Sequence, residues 1–179
     1  MPQIEYRVPM LYTQQLQFCQ SKTKYTLYGG SRGGGKSFVV RHKAIQLALL
    51  YDGIQILIVR RTFPELEENH IKHFRGLLWG IAKYNTQKRV FIFPNGSSIT
   101  FDYCKTEADL EHFQGREYEA IFIDEATHFT FKMYMKLTEI NRPSGLIKLK
   151  EGQKLPLPRI YLTANPGGKM GDYNDNLYC

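Results

Sequence analysis

The chain has 179 residues, 42% of them hydrophobic and 23% charged, enough for one domain with a core and ordinary for a soluble globular protein. It contains no apolar run long enough to cross a membrane, and Met1 to Arg7 lack the charged-then-apolar pattern of a signal peptide. A net charge of +7 and a pI of about 9.3 point equally to a polyanionic partner, nucleic acid first, or to an ordinary basic enzyme surface.

Residues 1–24 form an N-terminal segment ahead of the first core strand. Within it Tyr12 to Phe18 reads as a short helix carrying Gln14, Gln15 and Gln17. A glutamine amide offers a donor and an acceptor side by side, which can pair with the N6 and N7 edge of adenine. Composition alone favours a solvated polar face at that point. Cys19, Cys104 and Cys179 are far apart and include no CxxC pair, so they read as free thiols of a reducing cytoplasm.

Tyr25 to Tyr28 is apolar and β-prone, and Lys36 to Tyr51 is helical in its apolar spacing. Between them Gly30-Ser31-Arg32-Gly33-Gly34-Gly35-Lys36-Ser37 satisfies the P-loop pattern G-x-x-x-x-G-K-[ST] in its required strand–loop–helix setting. A triphosphate crowds negative charge into a small volume. A loop nearly free of side chains lets backbone N–H groups point at that charge, and glycines permit the turned backbone. Lys36 is then placed for the β- and γ-phosphates of ATP, and the Ser37 hydroxyl for Mg²⁺.

Asp52-Gly53 ends the helix. Ile54 to Val59 is continuous and β-branched, a buried parallel strand with Arg60-Arg61 at its end. Pro64 suits the first turn of a further helix, expected to reach about Tyr84 with Leu66, Ile71, Phe74, Leu77, Leu78 and Ile81 inward. Arg89 to Tyr103 is a hairpin around Asn95-Gly96. Thr106 to Phe113 is a short helix with Thr106 as its cap and Asp109 three residues on.

Glu119 to Ala126 is the second motif. Ile121, Phe122 and Ile123 sit in a buried strand, and Asp124 and Glu125 stand at its C-terminal end, where open α/β sheets bind their ligands. Asp124 is the candidate Walker B carboxylate for Mg²⁺ through water, and Glu125 the candidate for polarising the attacking water. Phe131 to Ile140 is an amphipathic helix with Met133, Leu137 and Ile140 inward. Residues 142–158 read as a basic loop with a short strand at Leu146–Leu149. Arg159 to Thr163 is the last core strand, leading into Ala164-Asn165-Pro166-Gly167-Gly168. A hydroxyl and an amide at Thr163 and Asn165 can sense a γ-phosphate. The polar tail, residues 169–179, is not expected to pack.

Taken in order, these pieces resemble the N-terminal ATPase domain of phage terminase large subunits, the DNA-packaging motors of tailed phages. The resemblance rests on Thr13 to Phe18, Leu27 to Ser37, Ile58 to Thr62, Phe93 to Ser97, Phe113 to Gly115, Ile121 to Ala126 and Leu162 to Gly168. It implies roles for residues at matching positions. Gln15 matches the adenine-contacting glutamine, and Lys36 and Ser37 the phosphate lysine and magnesium hydroxyl. Arg32 matches an arginine acting on the γ-phosphate in cis. Asp124 and Glu125 match the magnesium aspartate and catalytic glutamate, and Thr163-Ala164-Asn165 the motif coupling hydrolysis to DNA movement. Arg116 is a looser match to an arginine finger for a neighbouring subunit. The resemblance also implies double-stranded DNA, a portal protein and a small terminase subunit as partners, a homo-oligomeric ring during packaging, and the host cytoplasm as the setting. Family members continue into an RNase H-like nuclease domain. These residues end before it, so DNA cutting is not assigned to them.

Two other readings stay open at this stage: a nucleotide-binding or assembly module without turnover, and another P-loop translocase such as a helicase. The fold expected over residues 25–168 is a mainly parallel α/β sheet with helices on both faces and an antiparallel hairpin. It is the additional-strand, catalytic-glutamate type of P-loop NTPase, in which strand 159–163 lies between the P-loop strand and the strand before Asp124.

Overall fold

The computed structural model describes Tyr6, residues 11–30 and residues 33–165. The expectations for Ser31, Arg32, Pro166-Gly167-Gly168, Cys179 and the 169–179 tail lie outside those residues. Chain order runs α1 (Thr13–Gln20), β1 (Tyr25–Gly29), α2 (Lys36–Leu50), β2 (Gln55–Arg60), α3 (Phe63–Leu66), a π-helical turn (Glu67–Ile71) and α4 (Lys72–Leu77). It continues with β3 (Lys83–Asn85), β4 (Val90–Ile92), β5 (Ser98–Tyr103), a 3₁₀ turn (Glu107–Phe113), β6 (Ala120–Ile123), a second 3₁₀ turn (Ala126–His128), α5 (Phe131–Glu139) and β7 (Arg159–Ala164).

The strands form one seven-stranded sheet in the order β1-β7-β6-β2-β5-β4-β3. β1, β7, β6, β2 and β5 pair in parallel, and β5, β4 and β3 pair antiparallel. β7, the last strand in sequence, separates the P-loop strand β1 from β6, as the additional-strand expectation requires. The N-terminus of α2 and the carboxyl ends of β6 and β7 therefore meet at one end of the parallel sheet, where loops rather than ladder bonds shape the surface.

Alternation along the central strands divides the core in two. Ile56, Ile58, Ala120, Phe122 and Tyr161 face α2 and α4, where Val39, Ile45 and Phe74 complete one cluster. Leu57, Val59, Ile121, Ile123, Ile160 and Leu162 face the other way, against Phe113, Phe129, Met133 and Leu137. β2 and β6 are buried on both faces, which is why their sequences read as continuous apolar runs. Each such side chain fully removed from water contributes about 1.5–3 kcal/mol.

The hairpin, the capped 107–113 turn and α5 fall where the sequence reading put them. Thr106 and Asp109 form a reciprocal capping box. Cys19 and Cys104 are buried free thiols, and burial, aided by the Asp109 charge, pushes the Cys104 thiol up to about 12.

Two expectations are corrected. The helix does not run to Tyr84: α4 stops at Leu77. Gly80 takes a left-handed φ of 72°, and Lys83–Asn85 instead pairs with β4 as a seventh strand. Poor helix propensity at Gly76 and Gly80, and open partners on the β4 edge, favour the strand. Leu146–Leu149 forms no strand, and a single bridge from Lys148 to Asp52 is all the ladder made there.

Candidate active site

Gly29 closes β1, and the Gly30 N–H donates to Ala164 O at 3.2 Å, so the loop leaves the sheet beside the end of β7. Gly33 and Gly35 take left-handed φ values of 82° and 70°. Gly35 is the N-cap of α2, and having no side chain it offers no acceptor to the first-turn amides. Those N–H groups, at the positive end of a 15-residue helix, are arranged to receive an anion. Lys36 is buried, and its Nζ donates to Gly30 O at 2.8 Å across the mouth of the loop.

The Ser37 hydroxyl donates to Asp124 Oδ2 at 3.0 Å. This bond joins two motifs 87 residues apart in sequence, the loop after β1 and the carboxylate after β6. A hydroxyl and a carboxylate oxygen are hard donors of the kind Mg²⁺ takes, usually with several waters retained. The donor set fits that ion and a phosphate-bearing nucleotide.

Asp124 is almost fully buried. His70 Nε2 lies 2.8 Å and Arg60 Nη1 3.5 Å from Oδ2, while the Thr163 hydroxyl donates to Oδ1 at 2.5 Å. Burial alone would raise its pKa. The His70 hydrogen bond, the Arg60 charge and the Thr163 hydroxyl outweigh burial and hold the carboxyl well below the usual range. Asp124 is thus an anion at neutral pH, as a cation site requires.

Glu125 sits one residue on, in a left-handed backbone conformation with φ 59°. A non-glycine residue there is uncommon and costs about 1–3 kcal/mol unless its surroundings fix it. Its N–H donates to Thr163 Oγ1 at 3.0 Å, and its carboxylate meets Arg60 Nη2 at 2.8 Å and His128 Nδ1 at 3.3 Å. Thr163 therefore touches both residues of the acidic pair, donating to one and accepting from the other.

The structure brings Gly30, Gly33, Gly35, Lys36, Ser37, Asp124, Glu125 and Thr163 to one end of the sheet. Gln15 is buried beside them: its Oε1 accepts from Tyr12 N at 3.1 Å, and its Nε2 occupies the space a Cβ at position 35 would need. Gly34 lies in the loop, its carbonyl accepting from the Tyr28 hydroxyl at 3.3 Å. Asn165 follows β7 with its Oδ1 buried and without a hydrogen-bond partner among the described residues. Arg116 pairs at 2.8 Å with Asp102, a residue of β5.

Three contributors had no role in the sequence reading. Arg60 was visible as a charge at the end of a buried strand, the place where such sheets put functional side chains. His128 follows Glu125 by three residues and faces it through a single 3₁₀ turn. His70 had no sequence signal, because a lone histidine inside an apolar-periodic helix looks like any other helical residue.

A family model for the N-terminal part of the terminase large subunit, T4likevirus-type, matches residues 27–145. No curated protein matches the chain. Among solved structures, the large terminase of a thermophilic bacteriophage is similar with TM-score 0.72 at 16% identity, over 92% of this chain and 42% of that one. The same terminase in complex with ATP-gamma-S gives 0.68 at 16% identity, over 92% of this chain and 41% of that one. The large terminase ATPase domain of Thermus phage P74-26 gives 0.57 at 14% identity, over 94% of this chain and 86% of that one. At such identities the likeness establishes the fold. The chain spans about two-fifths (42%) of the length of the first of these terminases.

Proposed function

The chain belongs to the T4likevirus-type terminase large-subunit N-terminal family, and from that premise we propose that it is the ATPase module of a viral DNA-packaging motor. ATP hydrolysis at this site drives double-stranded DNA into a procapsid. The observation that carries the proposal is the 3.0 Å bond from Ser37 to Asp124, which closes the phosphate loop onto the acidic strand end with Glu125 alongside. The ATP-gamma-S complex of the thermophilic phage terminase adds support for ATP as the ligand.

In this reading Lys36 exchanges the Gly30 carbonyl for phosphate oxygens, and the loop amides from Gly33 to Ser37 hold the phosphates. Ser31 and Arg32 complete the loop, Arg32 placing its charge on the γ-phosphate. Gln15 reads adenine by its amide. Mg²⁺, held by Ser37 and through water by Asp124, would neutralise charge on the phosphates. Glu125 orients the attacking water and takes its proton, with Arg60 and His128 fixing its carboxylate. Thr163 and Asn165 carry the state of the site into β7. The net charge of +7 suits the DNA backbone. A ring of copies with a portal and a small subunit, assembled in the host cytoplasm, is the corresponding setting.

The test is a pair of substitutions in the complete protein. Glu125→Gln is expected to bind ATP and lose turnover by about 10²–10⁴-fold, the range for loss of a general base. Lys36→Ala is expected to lose nucleotide binding itself. Wild-type turnover in Glu125→Gln would remove the glutamate from the mechanism.

A further inference from the structure

We infer that His70 is a positioning residue for the metal-holding carboxylate, keeping Asp124 Oδ2 in place once Ser37 turns from that oxygen to the ion. The inference rests on the nucleotide-site reading above. His70 is wholly buried, and its Nε2 lies 2.8 Å from Asp124 Oδ2. A carboxylate oxygen accepts, so Nε2 carries the proton, and in the neutral ring Nδ1 is bare. Nδ1 is indeed buried with no hydrogen-bond partner among the described residues.

That arrangement is locally costly. An unpaired buried nitrogen carries its full desolvation penalty, and an apolar side chain of similar size would fill the same space without it. The residue also stands on the π turn Glu67–Ile71, an uncommon helical geometry that clusters at functional sites. Two anchors hold that turn: Asn69 O accepts from Arg41 Nη1 at 2.5 Å, and Asn69 Nδ2 donates to Glu65 O at 2.8 Å. What the turn gains is one directed N–H on Asp124.

The other partners of Asp124 show why that N–H matters. Ser37 is the residue the ion would recruit. Arg60 reaches Oδ2 only at 3.5 Å and makes its shorter bond, 2.8 Å, to Glu125. Thr163 is on Oδ1. After Ser37 turns, His70 supplies the remaining short bond to Oδ2. Partners behind a metal ligand commonly carry 10–100-fold of metal affinity.

The experiment uses the full chain, a fluorescent ADP analogue, and binding measured in EDTA and across a Mg²⁺ titration. His70→Gln places an amide N–H where Nε2 lies, whereas His70→Asn reaches only the position of Nδ1. His70→Asn should raise the Mg²⁺ concentration for half-saturation by about 10–100-fold, with EDTA binding little changed. His70→Gln should recover most of the loss. Nitrogen NMR of the wild type should find the His70 proton on Nε2. Equal Mg²⁺ shifts in both variants, an unshifted His70→Asn, or a proton on Nδ1 would overturn the assignment. Should His70→Asn fail to fold, the Gln variant and the wild-type tautomer decide. A wild type whose ADP binding ignores Mg²⁺ would instead overturn the nucleotide-site reading, and this inference with it.

Discussion

Thr163 shows how much one side chain can settle at the residue scale. Its hydroxyl donates to Asp124 and accepts from the Glu125 backbone, so a strand remote in sequence fixes both acidic residues at once. Asp124 in turn links the site to acid stability. Its pKa is depressed in the folded state, so its contribution is fully present above the unfolded value, about 3.9, and is lost as pH falls through the lower folded value. In that window the unfolded chain binds one more proton, and stability should fall by about 1.4 kcal/mol per pH unit on account of this group. Denaturant unfolding at successive pH values should show that component in the wild type and not in Asp124→Asn. Identical slopes would show that the carboxylate is not held as described.

At the scale of elements, backbone geometry sets where the chain turns. Gly53 and Gly115 both have left-handed φ, 85° and 76°; Gly53 turns the chain between α2 and β2, and Gly115 follows the 107–113 turn. Their surroundings differ: a Cβ on Gly53 would run into the Leu146 carbonyl, while one on Gly115 would meet nothing within 4 Å. Gly115→Ala should therefore cost only the strain of the conformation, about 1–2 kcal/mol. Gly53→Ala should cost more, because the obstruction is backbone. Thermal melting orders the two, with about 2–4 °C expected per kcal/mol at this chain length; equal melting temperatures would contradict the contact. The helical stretch from Phe63 to Leu77 makes a related point. It reads in sequence as one uninterrupted amphipathic run, but its middle is a π turn that rotates His70 onto Asp124. Apolar periodicity reports which face is buried and is blind to one residue of extra winding.

At the scale of the molecule, the segment after α5 is tied down more firmly than its loop-like composition implies. Glu119 is buried, and its carboxylate accepts from Gln55 N at 2.9 Å, Ser144 N at 2.6 Å and Ser144 Oγ at 2.7 Å. Asn141 Nδ2 lies near the carbonyls of Tyr118, Glu119 and Arg159 at 3.0, 3.4 and 3.3 Å. Together they fasten this segment to the starts of β2, β6 and β7, the end of the sheet opposite the site. Glu119→Ala would remove three hydrogen bonds to a buried carboxylate from the half-buried donors of Gln55 and Ser144, each bond to a charged group being worth about 1.5–3 kcal/mol at most, so a clear drop in melting temperature is expected. Glu139→Ala, which removes a surface pair with Lys136, should change stability by less than about 1 kcal/mol. Equal effects would mean that the Glu119 contacts carry no weight.

The residues alone determined the strand–loop–helix of the phosphate loop, the buried strand ending in Asp124-Glu125, the hairpin and the place of β7 in the sheet. The first three are legible because they depend on local chemistry: glycines where the backbone must turn, apolar runs where both faces are covered, charges where a strand ends; the place of β7 followed from the type of P-loop fold that the order of the motifs implies. The fold decided the rest. Only tertiary structure brought Arg60 and His70 onto the carboxylates, drew 83–85 out of the helix into the sheet, and set Thr163 between Asp124 and Glu125. Those outcomes depend on contacts between segments far apart in the chain, where the energy lies in the pair and neither partner's sequence announces the other.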